Sequence, residues 1–493
     1  MNLDRGVCYR ALRTRDARFD GRFFVAVRST RIYCRPICPA RLPRLENCEF
    51  VACAAAAQEM GFRPCQRCRP ETSPGTPAWL GTSATVSRAL RLIAEGALDK
   101  GSLDALAARL GVGARHLRRL FEKHLGASPL AVAHTRRALF AKQLIDSTDL
   151  PMSEIAPASG FSSIRRFNDS ILRSYHCAPT ELRRRRRRLR DVPDSEIHLR
   201  LAYRQPFQWE SLLSFLALRA IPGVERVDSG CYRRSIEIGS AEGAVSVQAV
   251  PGEDALLARI RLSSPSSLIE VAERLRRIFD LGADPAEIAA HLSHDPELAS
   301  RARSNPGIRV PGAWDGFELG VRAILGQQIS VAGATTLAGR IAEKYGRVLS
   351  AAPSSWGTPR LFPRAEVLAD ADLTTLGLTR ARARSIAALA AAVSRGELVL
   401  DASRGLEETV RGLRELPGIG PWTAQYVAMR ALREPDAFPA GDLVLRKALG
   451  NGSPLREAEL EKRSSVWRPW RAYAALLLWT IKPPAAVAEE DSR

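Results

Sequence analysis

Four cysteines fall in two close pairs, Cys34-x3-Cys38 and Cys65-x2-Cys68. A thiolate is both a nucleophile and a soft metal ligand, and each short spacer lets one loop offer two sulfurs to a single tetrahedral ion. The spacing predicts one four-thiolate zinc site. It leaves open whether the metal only holds a fold or also arms a reactive sulfur. Cys48 and Cys53 stand outside the pattern and read as ordinary buried residues. A second constellation lies in the last quarter of the chain. Leu416-Pro417-Gly418-Ile419-Gly420 reads as a tight turn between two helices. There Gly418 and Gly420 let backbone N–H groups approach a phosphate. Further on, Asp442 opens an apolar-periodic stretch, where an aspartate caps a helix whatever else it does. Trp422 and Tyr426, four residues apart, share one helix face, and Trp479 adds a third aromatic ring.

The elements that must carry these residues are legible in outline. Residues 23–27, FFVAV, are strand-like beside the first cysteine pair. A Ser/Pro/Gly/Thr stretch, 72–83, reads as a linker. Residues 102–129 and 152–182 form two similar helical halves. In the first, Ser102 caps a helix, Leu103, Leu106 and Leu110 make its apolar stripe, and Gly111-Val112-Gly113 makes the turn. A recognition helix over 114–123 then presents Arg115, His116, Arg118 and Arg119. The second half repeats this with Gly160 at the turn and a helix over 162–173. Pro157 sits inside its leading helix, where a proline removes a hydrogen bond and predicts a kink. The run RRRRRRLR, 183–190, is expected to be extended and solvated. Strand patterns at SIEIG and VSVQAV precede the helix SLIEVAERLRRIFDL, and everything beyond about residue 300 is Ala/Leu-rich and helical.

The expected fold is therefore multidomain and mainly α with α+β parts. It comprises a small zinc-binding α/β domain (1–72), a double helix-turn-helix (84–182), an Arg-rich linker (183–195), an α+β domain (196–300) and an all-α helix-hairpin-helix domain (301–485). The net charge is +20 over 493 residues. Residues 1–190 hold 35 lysines and arginines against 16 acidic residues, and the remainder is nearly balanced at 38 against 37. A concentrated basic excess attracts phosphate polyanions. No apolar run is long enough for a membrane span and the start lacks an apolar signal core, so no membrane partner and a cytosolic location are expected. Nine cysteines, seven of them within the first 68 residues, argue in that compartment for metal rather than disulfides.

Longer matches add a family reading. FFVAVRSTRIYCRPICPAR, ENCEF and GFRPCQRCRP resemble the N-terminal domain of the Ada methylation-response proteins over nearly all of 1–72. The resemblance implies that Cys34, besides being a zinc ligand with Cys38, Cys65 and Cys68, accepts a methyl group from a DNA methylphosphotriester, once per molecule. It places Arg41 and Arg67 near the phosphate. Tyr33 stands where phenylalanine is more usual. The paired helix-turn-helix resembles the AraC-type DNA-binding domain, which implies promoter contacts from Arg115 and Arg118.

From about 197 to 485 the chain resembles the AlkA alkylbase glycosylases of the helix-hairpin-helix superfamily, through FELGVRAILGQQISVAGATTLAGRIAEKYG, LPGIGPWTAQYVAMR, AFPAGDLVLRKAL and WRPWRAYAALLLW. Asp442 is then the catalytic carboxylate. Trp422, Tyr426 and Trp479 wall a pocket for cationic 3-methyladenine- and 7-methylguanine-type bases. Gln328 takes the place of the leucine that wedges into DNA. Trp422 occupies the place of a Schiff-base lysine, which implies base removal without strand cleavage. No cysteine follows Cys231, so no iron–sulfur cluster is expected, and no organic cofactor. No PCHRV-like motif of an O6-alkylguanine transferase is present. The expectation is an alkylation-repair fusion acting as a monomer on double-stranded DNA, damaged and promoter, in the bacterial cytoplasm at the nucleoid. The alternative is a non-enzymatic methylation-responsive regulator with a degenerate glycosylase-like clamp. Asp442, the hairpin and the aromatic set argue against that alternative.

Overall fold

A computed structural model describes residues 4–74, 84–185, 196–349, 359–450 and 453–479. The first helix, α1 (Arg5–Thr14), is capped by Asp4, whose carboxylate accepts from the Val7 N–H. A four-stranded sheet follows, in the order β3-β1-β2-β4, with β1 (Phe24–Val27), β2 (Ile32–Cys34), β3 (Cys48–Val51) and β4 (Arg63–Pro64). Every residue of β1 is buried because the sheet is covered on both faces. Phe23, Val25 and Val27 meet Cys8 and Leu12 of α1. Phe24 and Ala26 meet Tyr33, Phe62 and the helix α2 (Ala54–Glu59). The strand β2 ends on Cys34, and β4 pairs parallel to it just before Cys65. The sheet thereby brings the two cysteine loops together.

The next block comprises α3 (Ala84–Ala94), α4 (Leu103–Arg109), α5 (Ala114–Leu125), α6 (Pro129–Ser147), α7 (Met152–Ala158), α8 (Ile164–Tyr175) and α9 (Pro179–Arg184). Ser102 caps α4 through the Ala105 N–H. The helices α5 and α8 bury Leu117, Phe121, Leu125 and Phe167, Ile171, Tyr175 at matching fourfold spacing. Their opposite faces, with Arg115, Arg118, Arg165 and Arg166, are exposed. Two expectations are corrected here. The helix α7 continues through Pro157 to Ala158, and its turn bonds repeat those of the first unit. Gly160 N to Pro157 O and Phe161 N to Ala156 O match Gly111 N to Ala108 O and Val112 N to Ala107 O. Pro157 lies on the exposed side of α7, so the one missing hydrogen bond falls where water replaces it. The Arg run also begins as helix: Arg183 and Arg184 belong to α9, and Arg185 pairs back to Glu181. Residues 186–195, like 75–83 of the first linker, lie outside the described residues.

The α+β block is an antiparallel sheet in the order β5-β9-β8-β7-β6. Its strands are β5 (Ile197–Ala202), β6 (Glu225–Asp228), β7 (Cys231–Ile238), β8 (Ala241–Ala249) and β9 (Ala255–Leu262), with α10 (Trp209–Ala217) and α11 (Leu268–Ile278) packed beside them. Then come α12 (Pro285–Leu292), α13 (Pro296–Ser304), α14 (Gly316–Leu325), α15 (Val331–Tyr345), α16 (Ala365–Ala369) and α17 (Arg380–Ser394). The last are α18 (Leu406–Arg414), α19 (Pro421–Arg430), α20 (Leu443–Ala448), α21 (Glu457–Arg463) and α22 (Arg471–Trp479). The helix α14 is buried along most of its length and packs on α15, α17 and α19. Among the described residues no helix is long and apolar enough to cross a membrane.

The blocks are not beads on a string. The core of the second helix-turn-helix unit, including Ile155, Phe161 and Phe167, is continuous with that of the α+β sheet, including Leu199, Val245 and Ile260. Arg91 of α3 is buried and donates to the carbonyls of Leu432 (2.7 Å) and Arg433 (3.0 Å) and to Glu434 (2.7 Å). The cysteine-bearing module is held by Arg22 to Asp284 (2.6 Å) and by Arg204 Nε to the Asp20 carbonyl (3.0 Å). Buried pairs of this kind add little net stability but fix orientation, because every alternative docking leaves a charge unpaired.

Candidate metal centre and acid–aromatic pocket

The four cysteine sulfurs, Cys34, Cys38, Cys65 and Cys68, lie within 4.8 Å of one another, and Cys38 and Cys65 are 3.9 Å apart. Four thiolates bound tetrahedrally at roughly 2.3 Å from one ion would stand roughly 3.8 Å apart, so the set fits Zn2+. Cys38, Cys65 and Cys68 are buried, while Cys34 is partly exposed. The Arg35 backbone N–H donates to Cys68 Sγ at 3.3 Å. Backbone N–H groups of Ala40 and Cys68 act on Cys38 and Cys65, whereas the main groups acting on Cys34 are the other three sulfurs. Cys34 opens into a groove lined by Arg41 and Arg67, as the sequence anticipated, and also by Arg13, Arg15, Arg44 and Arg63. Those four carry no local motif; only the fold brings α1 and β4 to the same rim. Behind the site, the Arg35 guanidinium is tied to Asp20 and to Thr72 (2.7 Å). The Tyr33 hydroxyl accepts from Gln58 (3.0 Å), whose amide oxygen accepts from Thr135 of α6 (2.9 Å).

At the other centre Asp442 caps α20. Its Oδ1 accepts from the N–H groups of Val444 (3.0 Å) and Leu445 (3.1 Å). The same oxygen accepts from Trp479 Nε1 at 3.1 Å, and Oδ2 accepts from Trp422 Nε1 at 3.0 Å. Oδ1 is therefore saturated, and Oδ2 keeps free lone-pair capacity. The Trp422 and Tyr426 rings stack at 5.2 Å with planes 11° apart, and Trp479 lies 6.3 Å from Tyr426. Sequence reasoning found these four residues but missed their bonding, since an indole N–H offers no spacing signal. It also missed the arginines that meet the Tyr426 phenol. Arg430 Nη1 donates to the Tyr426 hydroxyl at 2.7 Å. Arg219, from the loop after α10, packs on Phe215 with its guanidinium 3.7 Å from the ring centre.

Burial alone would push the Tyr426 phenol up, but the guanidinium groups of Arg430, Arg219 and Arg322 outweigh it and bring it down to about 8. A tyrosinate absorbance titration is expected to show one phenol with a midpoint at about 8, absent in Tyr426→Phe. Because the folded value lies below the unfolded value of about 10, the protein gains stability as pH rises from about 8 toward 10. Nothing is gained at neutral pH, where both states hold the proton. A midpoint near 10 would refute this.

The hairpin joins α18 to α19 through Gly418 in the left-handed region (φ +76°), where a Cβ would stand 2.1 Å from Ser385 Oγ. Gly420 starts α19 with no side chain over its free N–H groups. Gln327 ties the loop after α14 to the hairpin, donating to the Gly418 carbonyl (2.8 Å) and to Thr423 (2.9 Å). Gln328 is left exposed at the loop tip with φ 55°. Gly418→Ala is expected to cost about 1–3 kcal/mol through backbone strain and the Ser385 clash, and to weaken duplex binding. Unchanged melting and unchanged affinity would show that the turn tolerates a side chain.

The fold and the two centres together define a helix-hairpin-helix base-excision protein carrying a tetrathiolate module and a double helix-turn-helix. Residues 7–71 match the metal binding domain of Ada, 106–185 a helix-turn-helix domain, 198–315 the AlkA N-terminal domain and 321–470 the HhH-GPD superfamily base excision DNA repair proteins. A Mycobacterium tuberculosis protein, a probable bifunctional transcriptional activator/DNA repair enzyme AlkA, is 44% identical across 96% of this chain and 95% of its own length. The chain belongs to that family of bifunctional activator and repair enzymes. The DNA-3-methyladenine glycosylase 2 of Escherichia coli is 34% identical over 57% of the chain and 95% of its own length. The 3-methyladenine DNA-glycosylase structure from Archaeoglobus fulgidus overlays 57% of the chain, and 97% of its own, with 25% identity and a TM-score of 0.50.

Proposed function

We propose that Asp442 performs the glycosylase reaction of this chain and that Cys34 performs its methyl acceptance. The chain is a DNA-alkylation repair enzyme of the DNA-3-methyladenine glycosylase II type, joined to a stoichiometric zinc-thiolate methyl acceptor. The carrying observation is the convergence of two indole N–H groups and two backbone N–H groups on the Asp442 carboxylate. Those donors fix its orientation, with Oδ2 free to face a sugar. As the bond from C1′ to the base nitrogen breaks, the electron pair leaves with the base, and positive charge develops on the sugar. A fixed carboxylate stabilises that charge. Water then adds to C1′ and passes its proton to Asp442 Oδ2. Alkylated N3 or N7 makes the base cationic, which suits the aromatic faces of Trp422, Tyr426 and Trp479 and makes the base a good leaving group. Trp422 offers no amine, so no imine forms. The Gly418–Gly420 hairpin grips a phosphate of the duplex, and Gln328 enters the space of the extruded nucleotide.

At the other centre, bound zinc keeps sulfur as thiolate at neutral pH. Cys34 Sγ attacks the methyl carbon of a phosphotriester. The S–C bond forms, the C–O bond breaks, and the electron pair stays with the phosphodiester oxygen. Cys34 is the one residue of the four that is only partly buried, and it lines the arginine-rimmed groove. Arg41, Arg67 and the neighbouring arginines hold the phosphate. The single chain holds two helix-turn-helix units, standing in for the dimer that usually spans two half-sites. It is therefore read as acting on promoter DNA as a monomer, with Arg115 and Arg118 of α5 at the DNA. Base release from methylated duplex, followed by chromatography, tests the first activity: no 3-methyladenine or 7-methylguanine released would end it.

A further inference from the structure

The polar end of the pocket is built unevenly, and that unevenness points to a selectivity. Arg430 has every branch of its guanidinium engaged: Nε on the Pro311 carbonyl (2.8 Å), Nη2 on the Gly312 carbonyl (3.1 Å) and Nη1 on the Tyr426 hydroxyl (2.7 Å). It is also buried, so it serves to fix Tyr426. Arg219 is different. It lies flat on Phe215, donates through Nη1 to the Phe215 carbonyl (3.2 Å), and stands against the Tyr426 phenol. That leaves donors to spare on a side chain that is only partly buried. Tyr426 follows Trp422 by four helical residues, about 6 Å along the axis. Trp422 touches Asp442. Asp442 therefore marks one end of the Trp422–Tyr426 row, and Arg219, against Tyr426, marks the other.

We infer that Arg219 selects oxo-bearing bases, by donating to the exocyclic oxygen of an alkylated guanine. The inference rests on the pocket reading given above. A guanidinium is donor-only. It satisfies the O6 of 7-methylguanine and meets only another donor in the exocyclic amino group of 3-methyladenine. Its planar face stays stacked on Phe215 while the edge makes the bond, so the contact requires no rearrangement of the wall. The contact comes from the α+β block, not from the helical block that carries Asp442. The sheet domain thus contributes to lesion choice as well as to packing.

The test uses the full-length zinc-loaded chain on one batch of methylated duplex, with both released bases quantified in the same digest. The ratio of the two rates is independent of how much of a variant is folded. Arg219→Ala is expected to lower the ratio of 7-methylguanine to 3-methyladenine release about tenfold, the worth of one hydrogen bond to a charged donor. Arg219→Lys, which keeps a donor and the charge, is expected to hold the ratio within about threefold of wild type. An unchanged ratio in Arg219→Ala overturns the inference, and so does equal loss of both bases in both variants, as a phosphate contact would give. A wild type that releases 3-methyladenine alone overturns it while leaving the glycosylase reading intact. A wild type that releases neither base overturns the glycosylase reading itself.

Discussion

Asp442→Asn is expected to abolish base release from methylated DNA, by on the order of 10²–10³-fold, while the protein remains folded and bound to duplex. The substitution is informative because the two roles of Asp442 separate. Asparagine caps a helix about as well as aspartate, so its amide oxygen continues to accept from Val444 and Leu445. The charge facing the sugar is lost. The amide N–H2 now meets the Trp422 Nε1–H, donor against donor, in place of the 3.0 Å bond. Losing that one bond costs about 1 kcal/mol of stability, a small shift in melting temperature beside a loss of several kcal/mol in transition-state stabilisation. Single-turnover release measured alongside thermal melting separates the effects. Full activity in Asp442→Asn would remove the carboxylate from the mechanism. A collapse of melting would show the residue to be structural.

The second large effect is expected at the metal centre. Cys34→Ala should take up no methyl from methylphosphotriester DNA, read as the absence of one methyl mass on the intact protein. Wild type should carry that methyl on Cys34 alone. Cys68→Ala goes further, because it removes a buried ligand from a module with little else to hold its loops. The described sheet is short, with β4 only two residues long. Structural zinc sites supply about 10 kcal/mol or more of folding free energy, so Cys68→Ala or chelation is expected to unfold much of residues 4–74. Base release should stay within about threefold of wild type under the same treatment, since Asp442 and its donors sit on α19, α20 and α22. Methyl on another cysteine, or a module that keeps its fold without metal, would refute this reading. A large loss of base release would show that the Arg22–Asp284 and Arg204–Asp20 contacts hold the pocket in shape from a distance.

By itself the sequence determined what depends on neighbours along the chain. The spacing of Cys34, Cys38, Cys65 and Cys68 encodes a tetrathiolate set because two sulfurs can come from each short loop. Gly418 encodes a hairpin because few residues adopt its left-handed backbone. Asp442 encodes a helix start, and the apolar stripes of α5 and α8 encode two helix-turn-helix units. These signals are local, and local hydrogen bonding and sterics enforce them wherever the segment sits. Pro157, inside α7, and Arg183 and Arg184, inside α9, mark the limit of such local rules. A proline inside a helix is disruptive only if the lost bond is buried, and an Arg run is extended only if no preceding helix continues into it.

Tertiary structure alone decided which distant side chains meet. Trp479 and Trp422 reach the same carboxylate because α22 and α19 pack around α20. Arg219 and Phe215 come against Tyr426 and Arg430 because the end of α10 abuts α19. The second helix-turn-helix unit shares its core with a sheet that begins beyond the Arg run. None of these contacts has a periodicity or spacing to read. They follow from which apolar faces exclude water most completely against one another, and that choice is made by the whole chain at once.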